Sequence, residues 1–456
     1  MWLVGGDGRR RAGGRARGRA GAWGQRCCCV GGRVAAYTAI WAAALARQGA
    51  RVAAHDNGLG QTPPMGWNSW GLKHNISEEI IAAQADALVA SGLRDVGYRY
   101  VNLDGGWQDP QRDASGNLQG SQELFPSGMR ALGEYVHSNG LLYGIYSSAG
   151  FTACNGFPGS FGYEEADAQR FADWGVDYLK YDNCADGAVD PFVRYERMSQ
   201  ALNRTGRPIF FNICEWGIQQ PWRWAHKIAN SWRTTPDIVN SFLHGYGSCH
   251  SIQNIIMQNE ITHPYAGPDR GFNDPDLLQV GLEGVSDVEG KSQFSMWAIM
   301  KAPLLINADL RSMSKATLST LSNEEVIAVN QDPLGVQGRR IRQTVDVSAG
   351  ALDVWAGPLE GGDIAVVLFN QANLGSGEQT ITLHWEDIGL DPQDEAAVRD
   401  LWAHTALGTF SGDFAASVAP HDCVVLRVTP LGRPSSRDWA APARAPVDFT
   451  LTTDAS

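Results

Sequence analysis

Residues Val176-Asp177-Tyr178-Leu179-Lys180-Tyr181-Asp182 form a run of β-branched and aromatic side chains that stops at a carboxylate. A short apolar run of this kind reads as a buried strand. Tyr98–Asp104, Leu141–Ser147, Ile209–Cys214 and Ala302–Asn307 read the same way. Between these runs, Glu78–Ser91, Met129–Ser138, Tyr163–Trp174, Phe192–Asn203 and Glu289–Met300 carry apolar residues at helical spacing. Alternation of strand and helix across residues 55–334 predicts a parallel α/β fold, and its length suits a (β/α)8 TIM barrel. Asp104, Ser147, Asp182 and Asn307 stand at strand ends, which in a barrel share the rim where active sites lie.

The texture changes after Asp332-Pro333-Leu334-Gly335. Residues 335–430 hold short strands such as Leu352–Trp355, Ile364–Asn370, Gln379–Leu383 and Cys423–Val428, separated by turn residues, and predict an antiparallel β-sandwich. Residues 431–456, rich in Pro, Arg, Ser and Ala, read as a flexible tail. At the other end, residues 1–54 form a basic, Gly/Arg-rich leader followed by the apolar run Val34–Ala46. That run is shorter than the ~20 residues needed to cross a bilayer. A basic lead, an apolar stretch and small residues at Ala53-Ala54 describe a secretory signal, ahead of a plastid address. The expected location is extracellular, cell wall or vacuole/lysosome, and no membrane span is expected.

The chain of 456 residues is 43% hydrophobic and 19% charged, which excludes a disordered chain. Its net charge of −12 argues against a nucleic-acid partner. The leader contains ten Arg and one Asp, so the body carries 27 basic and 48 acidic residues, a balance of −21. Sixteen Trp fit either core packing or flat faces for sugars. Three of the eight Cys lie in the leader, and the other five show no zinc spacing, so no metal is expected. Sequons stand at Asn75 and Asn203.

Two aspartates are candidates for chemistry. Asp182 ends a strand on the predicted rim, where a carboxylate can act as a nucleophile. Lys180 lies two residues back on the same face and would hold Asp182 ionised, although a purely structural Lys–Asp pair has the same spacing. Asp237, in Trp232-Arg233-Thr234-Thr235-Pro236-Asp237, reads by itself as an ordinary loop aspartate.

A set of ordered motifs says more. Met65-Gly66-Trp67-Asn68-Ser69-Trp70, Phe157-Pro158-Gly159-Ser160, Phe171-Ala172-Asp173-Trp174-Gly175-Val176-Asp177, Lys180-Tyr181-Asp182, Cys214-Glu215-Trp216-Gly217, Asn273-Asp274-Pro275-Asp276 and Asn330-Gln331-Asp332-Pro333-Leu334-Gly335 occur in sequence. Together they resemble the α-galactosidases of glycoside hydrolase family 27, which includes α-N-acetylgalactosaminidases. The resemblance covers about Asp56 to Val428. It implies a (β/α)8 barrel followed by an antiparallel β-domain, and a retaining hydrolase that uses no cofactor. Asp182 is then the nucleophile and Asp237 the acid/base. Lys180 and Arg233 orient carboxylates and hydroxyls, Glu215 takes the sugar 2-OH and Asp104 a hydroxyl across the ring. Trp70 stacks on the apolar face, Tyr146 lines the pocket, and Cys154 pairs with Cys184. Glu215 with Trp216 and Ile218 would exclude a 2-acetamido group. The implied partner is a galactoside, small or polymeric, and the oligomeric state, a homodimer included, stays open.

Three positions depart from that pattern. Gly105 and Gly106 replace an Asp and a Cys, Ala229 leaves Cys214 without its usual partner, and Gln219 replaces an aromatic residue. Loss of a sugar-binding carboxylate at Gly105 raises two alternatives, a β-L-arabinopyranosidase and an inactive, lectin-like glycan binder.

Overall fold

The computed structural model describes residues 57–73, 75–346, 350–432 and 447–449. The leader 1–54, with the expected targeting signal, lies outside the described residues, as does most of the tail. Among the described residues no helix is long and apolar enough to cross a membrane.

Eight parallel strands form the first sheet: β1 (Met65–Asn68), β2 (Tyr100–Leu103), β3 (Leu142–Ser148), β4 (Tyr178–Asp182), β5 (Phe210–Cys214), β6 (Ser231–Arg233), β7 (Phe272–Asp274) and β8 (Leu304–Ile306). β1 through β7 pair in sequence order, and β1 also pairs with β8. Closure between β7 and β8 comes through Leu278, whose N–H donates to Leu305 O at 2.9 Å while its carbonyl accepts from Asn307 N at 3.2 Å. The result is the expected TIM barrel.

Six helices connect consecutive strands: α1 (Glu78–Ala90), α2 (Met129–Ser138), α3 (Glu164–Asp173), α4 (Pro191–Arg204), α5 (Ile252–Glu260) and α6 (Asp287–Ile299). Ser77, Asp190, Ser251 and Ser286 cap α1, α4, α5 and α6, each accepting from a first-turn N–H. The β5–β6 connection departs from the pattern: the short 3₁₀ turns Pro221–Arg223 and Ala225–Lys227 take the place of a helix. After β8, α7 (Lys315–Leu321) and α8 (Glu324–Asn330) complete the ring.

Strand period sets which side chains enter the barrel. On the outward faces Val101, Leu103, Tyr143, Ile145, Leu179, Tyr181, Phe211 and Ile213 join the large core shared with the helices. On the inward faces Tyr178, Phe210, Leu277 and Leu305 plug the floor, with the Tyr178 and Phe210 rings stacked at 5.0 Å. Gly144 leaves room inside for its neighbour, since a Cβ there would fall 1.9 Å from Asn102 Oδ1. Two residues above Tyr178 comes Lys180, and two further Asp182. The apolar plug therefore serves as the base on which the charged rim is mounted.

The second sheet runs β14-β13-β16-β11-β10-β9-β17, from β9 (Arg339–Asp346), β10 (Gly350–Pro358), β11 (Ile364–Asn370), β13 (Glu395–Asp400), β14 (Thr405–Ser411), β16 (Cys423–Pro430) and β17 (Val447–Phe449). The pair β12 (Gln379–His384) and β15 (Asp413–Val418) is separate. All seven residues of β11 are buried. Ala365, Val367 and Phe369 join the barrel's core, whereas Ile364, Val366 and Leu368 join a second core with Ile381 and Leu383 of β12. Burial on both faces explains why Ile364–Phe369 is apolar without alternation. Within the tail 431–456, Val447–Phe449 pairs in parallel with the outer edge of β9.

Candidate active site

At the C-terminal ends of the barrel strands lies a cavity of about 570 Å³, walled by Trp70, Asp104, Tyr146, Lys180, Asp182, Arg233 and Asp237 among others. Seven of the eight candidate binding and catalytic residues thus share one space. Glu215 does not line it.

The β2–β4 side is a locked cluster. Asp104 Oδ2 accepts from Lys180 Nζ at 2.8 Å, its Oδ1 from Gly105 N at 2.8 Å, and its own N–H donates to Ser69 Oγ at 2.8 Å. Burial opposes ionisation of Asp104, but Lys180 and the Gly105 N–H prevail and hold its pKa below the ordinary value. Lys180 in turn resists the effect of burial because the charges of Asp104 and Asp182 lie beside it, and its pKa is raised. Asp182 Oδ2 accepts from Tyr146 Oη at 2.9 Å and Oδ1 from Asn183 N at 2.9 Å. Burial raises the pKa of Asp182, opposed by Lys180, Asn183 and Tyr146, while the charge of Asp237 adds to the rise. Tyr146 stays protonated, its pKa raised by burial and by the charges of Asp182 and Asp104. The expected bridge between Cys154 and Cys184 is present and fastens the two loops beside Asp182. Joined sulfurs are not thiolates, so this Cys/Asp/Cys grouping offers a metal no thiolate ligand.

The β6–β7 side is built differently. Arg233 is buried, and its Nη2 lies 3.0 Å from Asp237 Oδ1 and 2.7 Å from Asp276 Oδ2. Asp237 itself sits in the following loop with its side chain 53% exposed. Its backbone carbonyl is tied to His250 N at 2.8 Å. Cys214 is a buried free thiol with Sγ 3.5 Å from Arg233 Nη1. Burial and then Asp182 push its pKa up, so it remains neutral.

Asp276 is the functional candidate that sequence reasoning quoted in a motif but gave no role. It lines the cavity, accepts from Ile238 N and Leu277 N at 2.9 Å each, and holds a left-handed φ of 82°. Such a conformation is costly for a residue with a side chain and persists where the surrounding structure over-determines it. Burial pushes its pKa up to about 6, with Arg233 lowering it and Asp237 raising it. The available signal was the rule already applied to Asp104 and Asp182, a carboxylate just past a strand end.

Glu215 follows β5 but turns both carboxylate oxygens to Gln219 N, at 2.9 and 3.1 Å. Trp216 takes its place in the cavity wall. Burial raises the Glu215 pKa to about 7 against the Gln219 N–H and Arg194.

A barrel rim carrying two separate carboxylates, each beside its own cation, is the apparatus of a glycosidase, and comparison with known proteins agrees. Residues 62–332 match the family described as Alpha galactosidase A, and residues 349–428 match its C-terminal beta sandwich domain. The chain belongs to the alpha-galactosidase family. An alpha-galactosidase of Oryza sativa subsp. japonica is 50% identical over 383 residues, covering 84% of this chain and 88% of that protein. Among solved structures, alpha-galactosidase I of Mortierella vinacea superposes with a TM-score of 0.79 at 35% identity, covering 84% of this chain and 100% of its own. The Saccharomyces cerevisiae alpha-galactosidase with raffinose gives 0.78 at 32% identity, covering 82% of this chain and 99% of its own. These relatives favour the alpha-galactosidase reading over the arabinopyranosidase and lectin-like alternatives raised by Gly105.

Proposed function

We propose that this alpha-galactosidase family member removes terminal α-D-galactosyl units by double displacement, with Asp182 as nucleophile and Asp237 as acid/base. The observation that carries this reading is the pairing of a buried, Tyr146-bonded Asp182 with a half-exposed Asp237 across one cavity. In the first step an oxygen of Asp182 bonds to the anomeric carbon while the bond to the aglycone breaks. Asp237 donates its proton to the leaving oxygen. In the second step Asp237 takes a proton from water, whose oxygen attacks the same carbon and releases Asp182. Lys180 and Asn183 stabilise the carboxylate that departs. Asp104 and Lys180 hold hydroxyls at the ring end away from the anomeric carbon, and Trp70 covers the apolar face. The exposed setting of Asp237 supports departure of the aglycone toward solvent. Raffinose-type oligosaccharides, galactomannans and galactolipids are the substrates in view, and the leader supports entry into the secretory pathway.

The test is turnover of 4-nitrophenyl α-D-galactopyranoside beside 4-nitrophenyl β-L-arabinopyranoside, with the product anomer read by NMR. Faster release from the galactoside, with α-galactose formed first, is expected. A β first product would overturn the double displacement, and turnover of neither substrate would overturn the hydrolase reading.

A further inference from the structure

We propose that Asn155 is a specificity-determining residue, whose side-chain amide receives the exocyclic hydroxymethyl group of the sugar across the gap left by Gly105. The proposal rests on the alpha-galactosidase reading and deepens it. Gly105 lines the cavity and follows Asp104 directly. A Cβ at Gly105 would come 3.4 Å from the Tyr146 ring and 3.5 Å from Asn155 Nδ2. The Asn155 amide therefore borders the side-chain space that Gly105 leaves empty. Its orientation is fixed, because Oδ1 accepts from Phe157 N at 3.2 Å.

The turn that carries Asn155 is rigidly mounted. Cys154 is bonded to Cys184, and its N–H points to Tyr146 Oη at 3.4 Å. Ala153 N donates to Phe157 O at 2.8 Å and Gly156 N to Ala153 O at 2.9 Å. A specificity group needs such a mount, since a loose amide would spend binding free energy on its own ordering.

Each charged group of the cavity has a protein partner. Asp104 holds Lys180, Asp182 holds Tyr146, and Asp237 and Asp276 share Arg233. Asn155 is neutral and offers Nδ2–H donors on the wall beside Asp104. A neutral amide and a primary alcohol can bond without stripping water from a charge. The reading above gives Asp104 to the ring end away from the anomeric carbon, so the hydroxymethyl arm is the substrate group that this space would receive.

The experiment compares inhibition of aryl α-galactoside hydrolysis by D-galactose and by 6-deoxy-D-galactose, which differ only in that hydroxyl. The wild-type protein should bind galactose about tenfold more tightly, the scale of one neutral hydrogen bond. Asn155→Ala should bring the ratio to within about twofold by weakening galactose alone. Gly105→Ala should also compress it, because its methyl group meets Asn155 at ordinary contact distance without straining the fold. A wild-type ratio near one, or an unchanged ratio in Asn155→Ala, overturns the proposal. Failure of the wild-type protein to release nitrophenol would instead sink the hydrolase reading. Binding of the two sugars, followed by fluorescence of Trp70 and Trp216 in the cavity wall, would then still decide the role of Asn155.

Discussion

The two sides of the cavity present the same ingredients, an aspartate and a cation, in opposite states of constraint. At β4, Asp182 is 7% exposed and held by Tyr146 and a backbone N–H. Beyond β6, Asp237 has a side chain 53% exposed, and its side-chain partner, Arg233, also serves Asp276. A nucleophile gains from the first arrangement, because its attack angle and ionisation must not vary between turnovers. A group that gives and then takes back a proton gains from the second, because it must meet an aglycone, then water, and change charge each time. The contrast accounts for burial at one carboxylate and exposure at the other.

The sharpest way to break that comparison is to disable each side separately. Asp182→Asn should reduce kcat by about 10⁴-fold or more on every substrate, because the covalent route itself is lost. Asp237→Asn should behave differently. It should slow raffinose hydrolysis by roughly 10²–10⁴-fold, the usual range for general acid–base catalysis, and slow nitrophenyl galactoside much less. Nitrophenolate departs without a proton, so only the poor leaving group needs the acid in the first step. The ratio kcat/KM reports the first step alone, whereas the second step, with Asp237 as base, is common to both substrates; equal losses of kcat/KM on both for Asp237→Asn would remove its assignment as the acid.

The nucleophile side was also the more legible in sequence. β2 through β5 and β8 announce themselves as apolar runs, and strand period puts Lys180 and Asp182 on one face at the rim, with their roles left to the resemblance. β1, β6 and β7 are three or four residues long, with polar Asn68, Arg233, Asn273 and Asp274 inside them. Segments this short have no measurable period, so their closure of the barrel was implied by count and resemblance. Asp237 and Asp276 come together only through that closure, which is why Asp276 had no assigned role. Glu215 shows the converse limit. The resemblance implies a ligand for the sugar 2-OH there, whereas the left-handed turn at Trp216 and Gly217 brings its carboxylate to Gln219 N.

Asp276→Asn sharpens the comparison on the exposed side. With its pKa pushed up to about 6 by burial, Asp276 ionises as pH rises through that value, and its charge then competes with Asp237 for Arg233. Below that pH, Arg233 is left to Asp237. The variant should lose an inflection near pH 6 from the profile of kcat/KM. It should also be about tenfold less active, consistent with a lost charged hydrogen bond of ~1.5–3 kcal/mol. A retained inflection would assign that titration to another group.

Glu215→Gln should have the smallest effect on rate and a clear one on stability. In the unfolded chain this carboxyl ionises near 4.5, and in the folded protein near 7. Between those values the folded state holds more protons than the unfolded state, so stability falls as pH rises through the window and levels off above 7. The Glu215→Gln variant should lack that fall, which urea unfolding at pH 5 and 7.5 can measure. If Glu215 instead turned into the cavity to grip the sugar, the same variant would raise KM for galactosides several-fold. Its stability would then keep the wild-type dependence on pH. The two outcomes separate a carboxyl that shapes the β5 loop from one that binds substrate, and the bonds to Gln219 favour the first.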